Sequence, residues 1–275
     1  MNFSLSTHLF VYDPLSLDHL KMIGEAGLSQ FELWCMNPHF NFHSWKRVKE
    51  LHQWLEQTNL SLSSIHAPFY RNFEELRAGF TLEISDKDKE RRQIAREEIG
   101  AALKVASDLG APRAVVHAGK REDPDDDVIR SILRLSLDNL LSIAEKCKVA
   151  IALENVGSPL SKAAELLKTV THFSSKFLSV CFDIGHGNMS EDVEKAIRTL
   201  GSNLQTTHIH DNHGKSDEHL YPFSGNIDWG KACKAFQDIN YGGPWVLEPR
   251  KYEDPYRVHF QKLKQAMNQL RQISE

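Results

Sequence analysis

The sequence predicts an α/β protein: a single parallel, eight-stranded (β/α)8 barrel, or TIM barrel, over residues 1–275. Three observations carry this expectation. Short apolar segments alternate with longer amphipathic ones eight times. The short segments show little polar alternation, as expected of parallel strands covered on both faces. Six in succession, the third to the eighth, finish on His, Glu or Asp, at the end where such barrels carry their sites.

Asn2 to Thr7 opens the chain as a short strand. Asp13-Pro14 reads as a helix start with Pro in the first turn, and Leu17, Leu20 and Ile23 follow at helical spacing up to Gly27. Gln30 to Trp34 is the second strand, and Trp45, Val48, Leu51 and Leu55 mark the next helix. Leu60 to His66 is a strand, and Ser85 to Leu109 a long helix with Ser85 as its N-cap. Ala114 to His117, Val149 to Glu154 and Phe177 to Asp183 are strands four to six. Their helices run Asp125 to Cys147, Ser161 to Phe173 and Glu191 to Leu200. Leu204 to His210, a long polar loop, Trp229 to Asp238, Pro244 to Glu248 and Pro255 to Ile273 complete the count. An open doubly wound sheet is the alternative, but it wants a glycine-rich loop after the first strand, and Ser6-Thr7-His8 is not one.

Composition bounds the function. A net charge of -4 supplies no bulk basic field for nucleic acid or anionic lipid, although a local basic groove stays open. Cys35, Cys147, Cys181 and Cys233 are scattered without a CxxC pair and read as core thiols of a reducing compartment. No signal pattern opens the chain and no apolar run approaches 18 residues, so the expectation is a soluble cytoplasmic protein with no membrane segment. A homo-oligomer stays open.

Fourteen histidines are the unusual number, and many stand at strand ends. The strands close on His66, His117, Glu154, Asp183 with His186, His208 with His210, and Glu248. In a closed barrel these side chains converge on one axis, where burying them together without compensation is costly. One or more divalent cations compensate directly. Any one such residue is commonly a hydrogen-bonded loop anchor; six consecutive strands point to a metal site. Asp217 and His219, two apart in the loop after strand seven, share a face if that segment is extended. The mixed N/O donor set suits Zn²⁺, Mn²⁺ or Co²⁺ better than Ca²⁺. Arg250 follows Glu248 and is a candidate for a substrate phosphate or hydroxyl, with a solvated charge pair as the plainer role. Glu32 and Trp34 end strand two near the pocket, and Trp34, Phe69 and Tyr70 either stack on a sugar ring or pack a loop.

Together, Ile65-His66-Ala67-Pro68, Val116-His117-Ala118-Gly119, Leu153-Glu154-Asn155, Phe182-Asp183-Ile184-Gly185-His186, His208-Ile209-His210-Asp211-Asn212, Asp217-Glu218-His219 and Leu247-Glu248 resemble the xylose isomerase-like TIM-barrel superfamily. That superfamily holds sugar and sugar-phosphate isomerases and epimerases and the endonuclease IV group of apurinic-site endonucleases. The resemblance covers nearly the whole chain. From the epimerase branch it implies one divalent metal on Glu154, Asp183, His208 and Glu248, with Glu154 and Glu248 moving the substrate proton and His186 touching a substrate oxygen. The arginine of that branch past the strand-seven His is absent, and Gly214 stands in its neighbourhood, which points away from a free ketohexose. From the nuclease branch it implies up to three zinc ions on His66, His117, Glu154, Asp183, His186, His208, Asp217, His219 and Glu248. The loop from His208 to Asp217 is shorter than in the nucleases, and the loop after His66 offers only Arg71 as a cation.

Two activities follow as expectations. The first is a metal-dependent isomerase or epimerase on a small sugar or sugar phosphate, working through an enediolate, with a dehydratase sharing its first step. The second is zinc-dependent hydrolysis at abasic DNA sites. A sugar-binding barrel that has lost activity is the non-enzymatic alternative, and retention of every candidate ligand argues against it. Charge favours the first.

Overall fold

Parallel strands joined by crossover helices can hide both sheet edges only by closing, and here they do. In a computed structural model describing residues 1–274, the strands are β1 (Asn2–Ser6), β2 (Gln30–Trp34), β3 (Ser61–His66), β4 (Arg113–His117), β5 (Ala150–Glu154), β6 (Leu178–Asp183), β7 (Leu204–Ile209) and β8 (Pro244–Leu247). They pair in chain order, and β8 returns to β1 in parallel, with Asn2 opposite Pro244 and Leu5 opposite Leu247. The expected TIM barrel is the fold observed.

Among the described residues there are ten α-helices: α1 (Leu17–Glu25), α2 (Trp45–Thr58), α3 (Phe73–Arg77), α4 (Lys89–Asp108), α5 (Asp127–Cys147), α6 (Ala163–Phe173), α7 (Ile184–Ser190), α8 (Val193–Leu200), α9 (Trp229–Asp238) and α10 (Tyr256–Gln272), with α3 and α7 reaching the barrel mouth and the rest forming an outer shell. The main core lies between this shell and the outward strand faces, with Phe31, Leu153, Phe182 and Leu247 fully buried there. Inside the barrel a small apolar floor is made by Val115, Ala152 and Cys181. Strand side chains alternate with period 2, so the residues two further along, His117, Glu154 and Asp183, point inward above that floor. No helix among the described residues is long and apolar enough to cross a membrane.

Three helix starts differ from expectation, each because a different side chain reaches the free backbone N–H groups. Ser16, not Asp13-Pro14, caps α1, its Oγ accepting from His19 N at 3.4 Å. Asp13 instead accepts from Lys251 Nζ at 3.1 Å and from the Tyr256 hydroxyl. Asp88, not Ser85, caps α4, accepting from the amides of Glu90 and Arg91, while the Ser85 hydroxyl donates to Asp123 at 2.7 Å. After β6 the chain does not loop out from Gly185 to Asp192. Asp183 itself caps the short helix α7 by accepting from His186 N at 2.7 Å, and Asp192 caps α8. The segment α3, capped by Asn72, was not expected.

Phe182→Ala empties a site in the strand-to-shell layer and should lower stability by about 3–5 kcal/mol in urea unfolding, while leaving the inward residues in place.

Candidate metal centre

Each strand end delivers one polar side chain into the barrel mouth, and they meet at His208. Its Nδ1 lies 3.0 Å from Glu154 Oε1, 3.4 Å from Glu248 Oε2 and 3.7 Å from Asp183 Oδ2. On the ring's other side, Nε2 lies 3.1 and 3.2 Å from the two oxygens of Glu32. Residues from β2, β5, β6, β7 and the end of β8 therefore share one dry pocket, none more than 2% exposed. Ser6 Oγ and Trp34 Nε1 each donate to Glu248 Oε1 at 3.0 Å, leaving its other oxygen facing His208.

Two further clusters flank this one. His66 Nε2 and His117 Nε2 stand 3.3 and 3.5 Å from Glu154 Oε2, a buried atom with no hydrogen bond of its own. His186 Nε2 and His219 Nε2 stand 3.2 and 3.4 Å from Asp217 Oδ2, and Asp217 Oδ1 is likewise buried and unbonded. The opposite nitrogens of His66, His186 and His219 are held by backbone: Nδ1 of each donates to the carbonyl of Ala67, Asn155 and Glu248 respectively, at 2.8–2.9 Å. With Nδ1–H fixed, each Nε2 is left to carry either a proton or a cation. His219 reaches this position from a left-handed backbone (φ +50°), not from an extended one, and still meets Asp217.

The electrostatics respond to crowding. Burial opposes charge on Glu154, but the nearby His208 and His117 outweigh it and hold its carboxyl well below the usual range. Burial dominates at Glu248, whose carboxyl is pushed up despite His208 and His219. Burial also acts against Asp183, yet His186 and His210 hold it down to about 2. His186 is raised to about 10 against burial, chiefly by Asp183 and by its bond to Asp217. Burial drives His117 down to about 3, so its ring is neutral with a bare nitrogen. Paired imidazoles and carboxylates with unbonded oxygens form a donor set that could hold a divalent cation. Sets of three donor atoms within 4.8 Å of one another include His66, Glu154 and His208, and Glu154, Asp183 and His186.

All nine sequence-derived candidates, His66, His117, Glu154, Asp183, His186, His208, Asp217, His219 and Glu248, thus come together. Trp34 lines the cavity but is buried between the rings of His8 and His66 and is tied to Glu248, so little of its face is free for a sugar. Arg250 is half-buried in the cavity wall. The cavity measures about 650 Å³, with Tyr12, Phe69, Tyr70 and Phe73 along one side and Lys120 and Arg121 on another. Lys120 and Arg121 pair with Asp86 and Asp217, each at 3.3 Å. The loop after β7 is not simply polar and solvated. Asp211 and Asn212 are fully buried, Asp211 accepting from Trp229 Nε1 at 2.9 Å, whereas His213 and Lys215 are exposed.

Sequence reasoning gave too little weight to three residues. Glu32 is as buried as any ligand; it stands two residues before Trp34 and so shares its inward face. His210 Nε2 donates to Asp183 Oδ2 at 3.0 Å, and its ring stacks on His219 with centroids 4.0 Å apart. Glu83 lines the cavity from the segment between α3 and α4, and its Oε2 has no partner. Nothing in the sequence around Glu83 marks it.

The model of the xylose isomerase-like TIM barrel family matches residues 20–273. The chain belongs to that family. An uncharacterised protein of Methanocaldococcus jannaschii is 28% identical over 265 residues, covering 92% of this chain and 85% of its own. A probable endonuclease 4 of Ureaplasma parvum is 26% identical over 151 residues, covering 52% of this chain and 46% of its own. Among solved structures, a D-tagatose 3-epimerase-like protein superposes with a TM-score of 0.83 at 24% identity, covering 100% of this chain and 98% of its own. The D-psicose 3-epimerase of Clostridium cellulolyticum, solved with D-tagatose, gives 0.83 at 19%, with 100% of both chains covered. The IolI protein, solved with a zinc atom, gives 0.81 at 18%, with 98% of both chains covered. At these identities the superpositions speak for the fold.

Two outcomes test this geometry. A Cβ on Gly185 would collide with the His210 imidazole, itself pinned by Asp183 and His219, so Gly185→Ala should cost about 1–3 kcal/mol in thermal unfolding. Burial raises the Glu83 carboxyl from 4.5 to about 8. The folded group keeps a proton that the unfolded one loses, so its contribution is whole below pH 4.5 and is lost as pH rises through 8. Glu83→Gln cannot ionise, so its urea midpoint should overtake that of the wild type above pH 8 and show no advantage below pH 4.5.

Proposed function

We propose that this chain is a divalent-metal-dependent isomerase or epimerase acting on a small sugar or sugar phosphate. The observation that carries the reading is the pair of buried carboxyls Glu154 and Glu248, each with an oxygen within 3.4 Å of the same His208 Nδ1. Two carboxyls placed around one ligating imidazole can take and return a substrate proton. The sugar epimerases among the structural neighbours support the substrate class, and the zinc atom of IolI supports the metal.

Glu154, Asp183 and Glu248, each with an oxygen within 3.7 Å of His208 Nδ1, would hold the principal ion, Zn²⁺ or Mn²⁺, together with that nitrogen, and the two flanking clusters would hold up to two more, giving one to three ions. Bound there, a dication would polarise a carbonyl and its neighbouring hydroxyl and so ease loss of the intervening C–H proton. Glu154, ionised, takes that proton; Glu248, oriented by Ser6 and Trp34, returns one. His186 Nε2 sits at the cavity wall where a substrate oxygen can meet it. Arg250 has no side-chain bond or ion pair among the described residues and faces the same space, suited to a phosphate or hydroxyl at the substrate's far end. Four free thiols fit a reducing, cytoplasmic setting.

A second reading, a zinc-dependent endonuclease at abasic DNA sites, rests on His66 and His117 closing on Glu154 and His186 and His219 closing on Asp217 beside the His208 cluster, and on the relative named a probable endonuclease 4. The net charge of -4 and a cavity walled by aromatic rings favour the small substrate.

The test is a panel of sugars, sugar phosphates and abasic duplex DNA offered to protein loaded with Zn²⁺ or Mn²⁺, with metal counted per chain. Isomerisation or epimerisation of a sugar that falls about 10²–10⁴-fold in kcat on Glu154→Gln and on Glu248→Gln supports the first reading. Full turnover by both variants contradicts it, and incision of abasic duplex by protein holding three zinc ions establishes the second.

A further inference from the structure

We propose that Glu32 is a positioning residue for the metal centre: it takes the Nε2 proton of His208 as a hydrogen bond and so presents a bare Nδ1 to the ion. The inference rests on the metal reading above.

Glu32 is 0% exposed and stands outside the cavity lining, so it touches neither solvent nor substrate. Both its oxygens are engaged. Oε1 lies 3.2 Å from Ser6 Oγ and 3.1 Å from His208 Nε2; Oε2 lies 2.7 Å from Ser64 Oγ and 3.2 Å from the same Nε2. Hydroxyls of β1 and β3 thus lock the carboxylate in place, and its remaining bonding capacity meets the imidazole edge turned away from the other acids. On the opposite edge, Nδ1 faces Glu154, Glu248 and Asp183 within 3.7 Å.

An imidazole can bind a cation only through a nitrogen without a proton. His66, His186 and His219 solve this with a backbone carbonyl on Nδ1. His208, inside β7, has its ring between side chains, and the acceptor is a carboxylate. A carboxylate behind a ligating imidazole fixes its tautomer and orientation and strengthens its basicity, and loss of such a partner typically weakens metal affinity 10–100-fold. Ser6 Oγ also lies 3.0 Å from Glu248 Oε1, so its single proton is shared between the lock behind His208 and the carboxyl in front of it.

A purely structural role is separable from this one. Glu32→Gln keeps the volume, removes the charge and turns one accepting oxygen into a donating NH2. Zinc titration of the metal-stripped full chain by calorimetry should show affinity about 10–100-fold weaker in Glu32→Gln than in wild type, with a similar melting temperature for both stripped proteins. In wild-type protein loaded with Zn²⁺, ¹⁵N-edited NMR should find the His208 proton on Nε2. Zinc affinity in Glu32→Gln within twofold of wild type, or a His208 proton on Nδ1, overturns the proposal. The NMR result stands even where the variant fails to fold. Wild-type protein that takes up no zinc overturns the metal reading together with this one, whereas tight wild-type binding with an unaffected variant overturns this one alone.

Discussion

The packing of buried acids against buried imidazoles in the barrel mouth is the constraint on which everything else depends. Glu32, Glu154, Asp183 and Glu248, all buried, lie within reach of a single ring, His208. Such a group of like charges survives only if each is neutralised by a proton, an imidazolium or a cation. The unbonded oxygens of Glu154 and Asp217 show where the protein's own donors run out. At Glu154 Oε2, His66 and His117 both approach without completing a hydrogen bond, which is the arrangement a shared cation would complete.

The fold makes this possible through register. Asp183 lies opposite His208, and His117 opposite Glu154, across adjacent parallel strands, so groups far apart in the chain arrive at one height. The floor of Val115, Ala152 and Cys181 is small and apolar, and it keeps water from entering beneath the site. Above, the β7–α9 loop is held by buried Asp211, which ties the chain back to Trp229 and lets Asp217 and His219 hang over the mouth. The site thus has an apolar floor below and a polar rim above, where Arg121 and Arg250 stand.

Much of this is written in the sequence because the strand ends are abrupt: an apolar run that stops on His, Glu or Asp can be seen without knowing its neighbours. Glu32 was harder. It sits inside Gln30-Phe31-Glu32-Leu33-Trp34, where an acid between two apolar residues resembles the alternation of a half-exposed strand, and only barrel closure shows that its face is the inner one. After β6, Gly185 and Gly187 let the rings of His210 and Phe182 pack against a short helix begun by Asp183, a role that depends on partners outside the segment. Ser85 and Asp88 are both good caps by type, and the choice between them was made by Asp123, a residue 38 positions from Ser85 that claims its hydroxyl. Local chemistry is legible, then, while competition between distant partners is not.

The most direct test of the account is X-ray absorption at the zinc edge on protein loaded with a single equivalent of Zn²⁺. Four N/O neighbours at about 2.0–2.2 Å, with the multiple-scattering signature of imidazole and no sulfur shell, is the predicted result. Zinc held by sulfur at about 2.3 Å, or zinc that keeps only its hydration shell, would contradict it.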